Sequence, residues 1–344
     1  MEGDEIMKDK LTKKIKELKH EVNIDDKLYL NRWKPDSESH LVIVEDSVCA
    51  QKCANKDQLK KEIIDFVTEK GADIVGFASV ERWPEFNEVP PDFWPTALWS
   101  MARTVIVMGM QMPLPIVDTT PSIVHKELYD TCNRELDSLA FDLTRFLNKK
   151  GYASIFFPRD AYGSLKNLIE KPYAAFSHTF AAKYAGLGTV SRSHNLLTPE
   201  FGSRVRLVSV FTAAEIEPDP MLGKDLCINC KLCAKCCPTG VLKEETDETG
   251  YYFKLDKVGC IKWHEDLTRR RAYPCGICTK VCPVGKDRKL YQETNMAKKY
   301  LAEQKTLENE LDNQEYKSWN HFRKYGSWAI KNGKIFDFKT GEEK

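Results

Sequence analysis

Nine of the twelve cysteines in this 344-residue chain fall between Cys227 and Cys282. The first run is Cys227-x2-Cys230-x2-Cys233-x3-Cys237, followed by Pro238. The second is Cys260, then Cys275-x2-Cys278-x3-Cys282, followed by Pro283. Thiolates two residues apart on a tight loop hold three corners of one iron–sulfur cube, and the fourth Cys, before Pro, ligates the neighbouring cube. The spacing therefore assigns Cys227, Cys230, Cys233 and Cys282 to one [4Fe–4S] cluster. Cys237, Cys260, Cys275 and Cys278 go to a second. A zinc ribbon needs two CxxC pairs set well apart in sequence, which this packing does not provide. Cys236, adjacent to Cys237, reads as a spare buried thiol, and Cys132, on an apolar helical stripe, as core. Cys49 and Cys53, with only His40 nearby, read as an incidental pair.

The elements that must carry these residues are legible from periodicity. Lys60–Lys70 reads as a helix ended by Gly71, leading into a strand-like run over Ala72–Val80. After a Trp/Pro-rich loop, Thr104–Met110 is a second strand. Between Ser122 and Lys150, Leu128, Cys132, Leu136, Leu139, Leu143, Phe146 and Leu147 step by three and four. Gly151 stands where a helix-ending glycine belongs. Tyr152–Phe157 reads as a buried strand, Pro172–Leu187 as a helix and Val205–Thr212 as a strong strand. Glu215–Gly223 reads as a linker, and a charged helical tail follows Lys286, with an aromatic cluster at Trp319–Trp328. The alternation predicts an α+β layered domain over 58–215 and a cysteine-rich module over 216–290. A polar extension, 1–57, with the single apolar run Leu41–Val44, and a tail, 291–344, flank them.

Composition narrows the classes. The chain is 42% hydrophobic and 10% aromatic, enough for a sizeable core. Fifty-two Lys and Arg against 51 Asp and Glu leave a net charge of +1, with no global pull toward nucleic acid or anionic lipid. Mean hydropathy is -0.47, and no apolar stretch approaches the ~20 residues of a spanning helix. Met1–Glu21 interleaves Lys13, Lys14, Lys16 and Lys19 with acids, and no apolar segment follows. The expectation is a cytoplasmic protein whose thiolates are committed to metal.

Two clusters carry single electrons and do no group chemistry alone. What precedes them is the series Tyr184-Ala-Gly-Leu-Gly188 to Arg192, Leu197-Thr-Pro-Glu-Phe-Gly-Ser203, Arg204–Thr212 and Pro218-Asp219. It resembles the cobalamin-dependent reductases, which comprise the reductive dehalogenases and the epoxyqueuosine reductases. The resemblance covers roughly 60–290. It implies a nitroreductase-like corrinoid-binding α/β domain fused to a double [4Fe–4S] ferredoxin-like domain. It also implies that Gly186, Gly188 and Gly202 let the backbone approach a macrocycle, with Arg192, Asn195 and Ser203 among the cofactor-binding groups. The Asp-Tyr-His triplet of the epoxyqueuosine reductases is matched by Leu128-Tyr129-Asp130, with Arg134 at the family spacing. Their proton-donating Asp is thus replaced by a residue that transfers no proton. Ser191-Arg192 stands where that family has Gly-Lys, and neither a helical-repeat extension for tRNA nor the export signal of respiratory dehalogenases is expected.

Tyr129 is accordingly the first catalytic candidate, by its match to the family's Tyr, and His178 the second. Arg159 and Tyr162, in the loop after the third strand, and Phe93, Trp94 and Trp99 are further candidates for cavity walls, with surface and core as their ordinary places. Trp263 and His264 read as shields for the second cluster. The reading that follows is a reductase that passes electrons from an external donor, such as ferredoxin or flavodoxin, through two clusters to a corrinoid acting on a small organic substrate. Two other readings stay open: an electron-transfer or corrinoid-reducing protein without its own substrate, and an epoxyqueuosine reductase acting on tRNA. Balanced charge counts against the latter.

Overall fold

Strands β1 (Ile74–Ser79), β2 (Thr104–Gln111), β3 (Ser154–Phe157) and β6 (Val205–Thr212) form one antiparallel sheet in the order β1-β2-β6-β3. The computed structural model describes residues 56–160, 162–269, 271–291, 296–309, 328–331 and 334–337. Leu41–Val44, Cys49, Cys53 and most of the Trp319–Trp328 cluster lie outside them.

Successive strand side chains point to opposite faces, and both faces of β2 and β6 are apolar. Ile106, Met108, Val208 and Val210 face helices α1 (Lys56–Glu69) and α2 (Ile123–Lys149), which supply Leu59, Ile63 and Val67, and Leu136, Leu139, Leu143 and Leu147. Val105, Val107, Leu207 and Phe211 face the other way, onto Trp83, Phe176 and the residues Ala181, Ala182 and Tyr184 of helix α3 (His178–Tyr184). The result is a three-layer mixed α/β arrangement.

Helix α2 starts where the Ser122 hydroxyl accepts the His125 backbone N–H at 3.1 Å and ends at Gly151, whose φ of 81° closes the last turn. Helix α3 is much shorter than the Pro172–Leu187 expectation. Ser177 caps it by accepting the Phe180 N–H at 3.4 Å, so residues 172–177 run as non-helical chain along a cavity wall. The Glu215–Gly223 linker is tethered: Asp219 accepts Lys60 Nζ at 2.6 Å and the Phe77 N–H at 3.0 Å.

The cysteine-bearing chain contains hairpin β7–β8 (Leu242–Thr246, Phe253–Leu255), helix α4 (Lys257–Arg269) and single helical turns at Leu232–Lys235, Ile277–Lys280 and Asp287–Leu290. Hairpin β4–β5 (Thr189–Val190, Leu196–Leu197) reaches toward it from the α/β layer. Helix α5 (Met296–Asn309) packs Tyr300 against Leu267, Ile277 and Val281. A further hairpin, β9–β10 (Trp328–Lys331, Lys334–Asp337), had no counterpart in the sequence reading. No helix among the described residues is long and apolar enough to cross a membrane.

Strand β3 pairs only with Ser209–Thr212. Among the described residues the first half of β6 is therefore left without a strand on that side, and a large cavity opens there. Because α2 seats this edge, its stripe is the place to test the layer. Leu143→Ala, at a fully buried position, is expected to cost about 2–5 kcal/mol, read as a lower urea midpoint with unchanged slope.

Candidate functional site

The eight motif cysteines separate into two sets around two hollows. One narrow cavity is lined by Cys227, Cys230, Cys233 and Cys282. A second, of about 370 Å³, is lined by Cys237, Cys260, Cys275 and Cys278, with Cys233 on the shared side. The distant Cys260 lies with the second set. Among the described residues no three His, Cys, Asp or Glu side chains gather tightly enough to hold a single metal ion. The thiols are instead arranged around volumes.

Their chemistry suits clusters. Burial, then Cys278 and Cys237, push the Cys260 thiol up to about 11. Burial, then Cys278, Cys230 and Cys282, push Cys233 up to about 12. Such thiols ionise only with a cationic centre between them. Hydrogen-bond donors already face several sulfurs: backbone N–H groups of Leu242, Thr239 and Val241 draw Cys237 down against its burial, and Asn195 Nδ2 lies 3.5 Å from Cys278 Sγ. Cys230, in the first set, is exposed while Cys275, in the second, is buried; the two cavities are called outer and inner after these residues. Trp263 and His264 line the second cavity, as expected. Cys236 and Cys132 are buried in apolar clusters.

A cavity of about 690 Å³ lies beside the unpaired half of β6. Phe93, Tyr173, Phe176 and Phe180 supply its apolar wall; Arg159, His178, Asn195, Ser203 and Arg206 supply polar groups. That volume is ordinary for a cofactor or ligand site. Asn195, Ser203, Val205 and Arg206 line both this cavity and the inner cysteine cavity, so the two share a wall. Trp94 and Trp99 pack against the core.

His178 is on the wall, yet both ring nitrogens are committed. One lies 2.8 Å from Ser209 Oγ and the other 3.0 Å from the Pro158 carbonyl. Burial lowers its pKa to about 4, which keeps the ring neutral at physiological pH. Tyr129 is buried on the inner cavity. Its hydroxyl donates to Asp160 at 3.1 and 3.2 Å, and the Arg206 guanidinium sits 4.3 Å over its ring. Arg206 also donates to Asp160 at 3.0 Å. Tyr273 meets the Tyr129 ring edge-on and shares a hydrogen bond of 3.0 Å with the Tyr162 hydroxyl. Sequence reasoning missed Asp160 and Tyr273, and did not single out Arg206. Alternation along β6 was the available signal, because it puts Arg206 on the same face as Val208 and Val210.

The glycines do different work from that expected. None of Gly186, Gly188 and Gly202 lines the large cavity; each is pressed against protein backbone. An added Cβ would lie 2.3 Å from the Pro220 carbonyl oxygen at Gly186, 2.0 Å from that of Leu197 at Gly188 and 1.9 Å from that of Val284 at Gly202. Arg192 likewise belongs to the outer cysteine cavity, where it stacks over Tyr251 and donates to its carbonyl at 2.8 Å.

No family model matches the chain. It is 28% identical over 193 residues to the tetrachloroethene reductive dehalogenase of Sulfurospirillum multivorans, covering 54% of this chain and 36% of that protein. It is 24% identical over 270 residues to the epoxyqueuosine reductase of Bacillus subtilis (strain 168), covering 70% of this chain and 67% of that protein. Its fold is shared with a catabolic reductive dehalogenase at a TM-score of 0.54 and 20% identity, over 82% of this chain and 40% of that one. The chain is a relative of the reductive dehalogenases and the epoxyqueuosine reductases. It spans little more than a third of the dehalogenase's length.

The glycine geometry is open to test. Gly202→Ala places a Cβ at a φ of 56° and against Val284, so it is expected to destabilise the protein by at least about 1–3 kcal/mol, seen as a lower unfolding midpoint without cobalamin present. Unchanged stability with weaker cobalamin binding would return Gly202 to a cofactor role.

Proposed function

We propose that the chain is an iron–sulfur, cobalamin-dependent reductase acting on a small organic substrate. On this reading 58–215 is a nitroreductase-like corrinoid-binding domain and 216–290 a double [4Fe–4S] ferredoxin-like domain. The observation that carries the reading is the shared wall: a cavity of cofactor size borders the inner of two cysteine-lined cavities, while exposed Cys230 lies at the other. That order suits electrons from an external donor, such as ferredoxin or flavodoxin, entering beside exposed Cys230. A corrinoid, when bound, supplies a strongly reducing cobalt centre, and the clusters supply single electrons to it.

The chain's own residues handle charge and protons. Asn195 and Ser203 offer polar contacts at the wall, and Phe93, Phe176 and Phe180 an apolar surface. Tyr129 holds the proton at its hydroxyl, oriented by Asp160. Arg206 lies over the ring and donates to the same carboxylate, so the hydroxyl sits beside a fixed ion pair. His178, neutral and engaged at both nitrogens, orients the wall without delivering a proton.

Coverage favours a second reading, because the epoxyqueuosine reductase match takes in more of both chains than the dehalogenase match. Against it, Leu128 is half-buried among Met112, Val117, Tyr129 and Cys132, so no acid stands at the family's position. Turnover of epoxyqueuosine-containing tRNA, with none of small organohalides, would establish that second reading. Cobalamin and iron without turnover of either substrate would leave the electron carrier.

Anaerobically reconstituted protein is expected to hold about eight irons per chain as two cubes and to bind cobalamin base-off, with a changed visible spectrum. Iron near four, stoichiometric zinc, or a spectrum matching free cobalamin would sink the assignment. With a turned-over substrate in hand, Tyr129→Phe is expected to lower turnover by roughly 10²–10⁴-fold while iron and cobalt content stay at parent level. Near-full turnover would make Tyr129 a packing residue.

A further inference from the structure

We propose that Asn195 sets the reduction potential of the inner cluster through a hydrogen bond to Cys278, rather than serving as a cofactor contact alone. The inference rests on the two-cluster reading, and it concerns the wall that the cysteine cavity shares with the 690 Å³ cavity.

The amide orientation follows from its neighbours. Asn195 Nδ2 lies 3.1 Å from Ser193 Oγ and 3.5 Å from Cys278 Sγ. An amide nitrogen carries two hydrogens, and here each has an acceptor. The flipped amide would set its oxygen against the sulfur, two acceptors in contact.

The residue is also held still. It sits at the tip of hairpin β4–β5, where the Ser191 N–H donates to the Asn195 carbonyl at 2.8 Å and the His194 N–H to the Ser191 carbonyl at 2.9 Å. The tip is gripped from the cysteine side. His194 Nε2 lies 2.9 Å from the Phe253 carbonyl and its ring stacks on Tyr252 at 5.1 Å. The Phe253 N–H donates to the Arg192 carbonyl at 2.8 Å. His194 adopts a φ of 64°, a conformation seldom taken by a residue other than glycine, and these anchors maintain it. The chain thus fixes one amide donor on a buried sulfur at the face turned toward the large cavity.

Hydrogen bonds to cluster sulfurs favour the reduced, more negative state and raise its potential. Losing the Asn195 donor lowers the potential of the cluster that Cys278 ligates and leaves the outer cluster alone. The selectivity is what separates tuning from a structural role, since general loosening moves both clusters or sheds iron.

The test is a redox titration, followed by electron paramagnetic resonance, of the full chain carrying both clusters. Asn195→Leu keeps the volume without the donor, Asn195→Asp keeps the shape without the donor, and Asn195→Gln returns an amide. The expected result is one midpoint potential shifted to lower values in the Leu and Asp variants, the second unmoved, iron at parent content, and part of the shift recovered in the Gln variant. Both potentials unmoved, or both moved together, would overturn the proposal. So would iron loss in the Leu variant combined with unmoved potentials in the Asp variant. A parent protein with fewer than two clusters would instead overturn the function reading beneath it, a failure recognisable before any variant is made.

Discussion

The arrangement hangs on one buried guanidinium. Arg204 is 0% exposed and its partner Asp287 2%. Arg204 Nε and Nη2 lie 2.7 and 2.5 Å from the two carboxylate oxygens, and Nη2 also donates to the Val284 carbonyl at 2.7 Å and Nη1 to that of Cys282 at 3.3 Å. A charge so buried is tolerated only when its donors are satisfied, and breaking such a pair from one side costs about 3–5 kcal/mol. Asp287 and the two carbonyls belong to the cysteine-bearing chain; Arg204 immediately precedes β6. The pair therefore fixes Cys282, the last cysteine of the outer set, to the same strand that lines the large cavity through Val205 and Arg206. Gly202 lies against Val284 for the same reason, since the two backbones must touch for the guanidinium to reach.

Much of this was legible beforehand, and unevenly. Val205–Thr212 was read to the residue because both faces of the strand are apolar, a continuous run that turns and prolines bound clearly. That the cysteines gather was legible from their crowding into residues 227–282. Helix α3 was overdrawn because apolar spacing continues through Phe176 into residues that a Ser177 cap excludes from the helix. The glycines were misassigned for a deeper reason: sequence tells that a backbone must come close to something, not to what. At Gly186, Gly188 and Gly202 the neighbour is the chain itself. Asp160 was missed because a carboxylate in a loop is ordinarily solvated, and nothing local marks the Tyr129 and Arg206 that face it.

Electrostatics explain why the polar groups of the wall occur together. A lone arginine behind the first half of β6 would carry an uncompensated charge into a half-buried site, which is costly. Asp160 removes that cost, and in doing so accepts the Tyr129 hydroxyl and stands within 3.4 Å of Asn133 Nδ2. Asn133 in turn accepts from Arg206 Nε at 3.0 Å. The hydroxyl is thus ordered by the same carboxylate that neutralises the guanidinium. Leu128, packed in the apolar cluster beside Tyr129, adds no second carboxylate to this group.

The division of labour along β6 then follows from strand alternation. Arg206 points to the α2 face, where Tyr129, Asn133 and Asp160 gather polar hydrogens around one charge. Ser209 binds His178, which sits with Phe176 on the α3 face, where the wall is aromatic and the imidazole stays neutral. Between them, at the strand's start, Ser203 and Val205 reach the cysteine side with Asn195 from the neighbouring hairpin. Proton-bearing groups and apolar wall are thus set by the two faces of one strand with a missing edge neighbour, and the donors on the cysteine side by the segments beside it. A strand paired along its whole length would fill the space the cavity occupies, so the short β3 is as much a part of the site as any side chain in it.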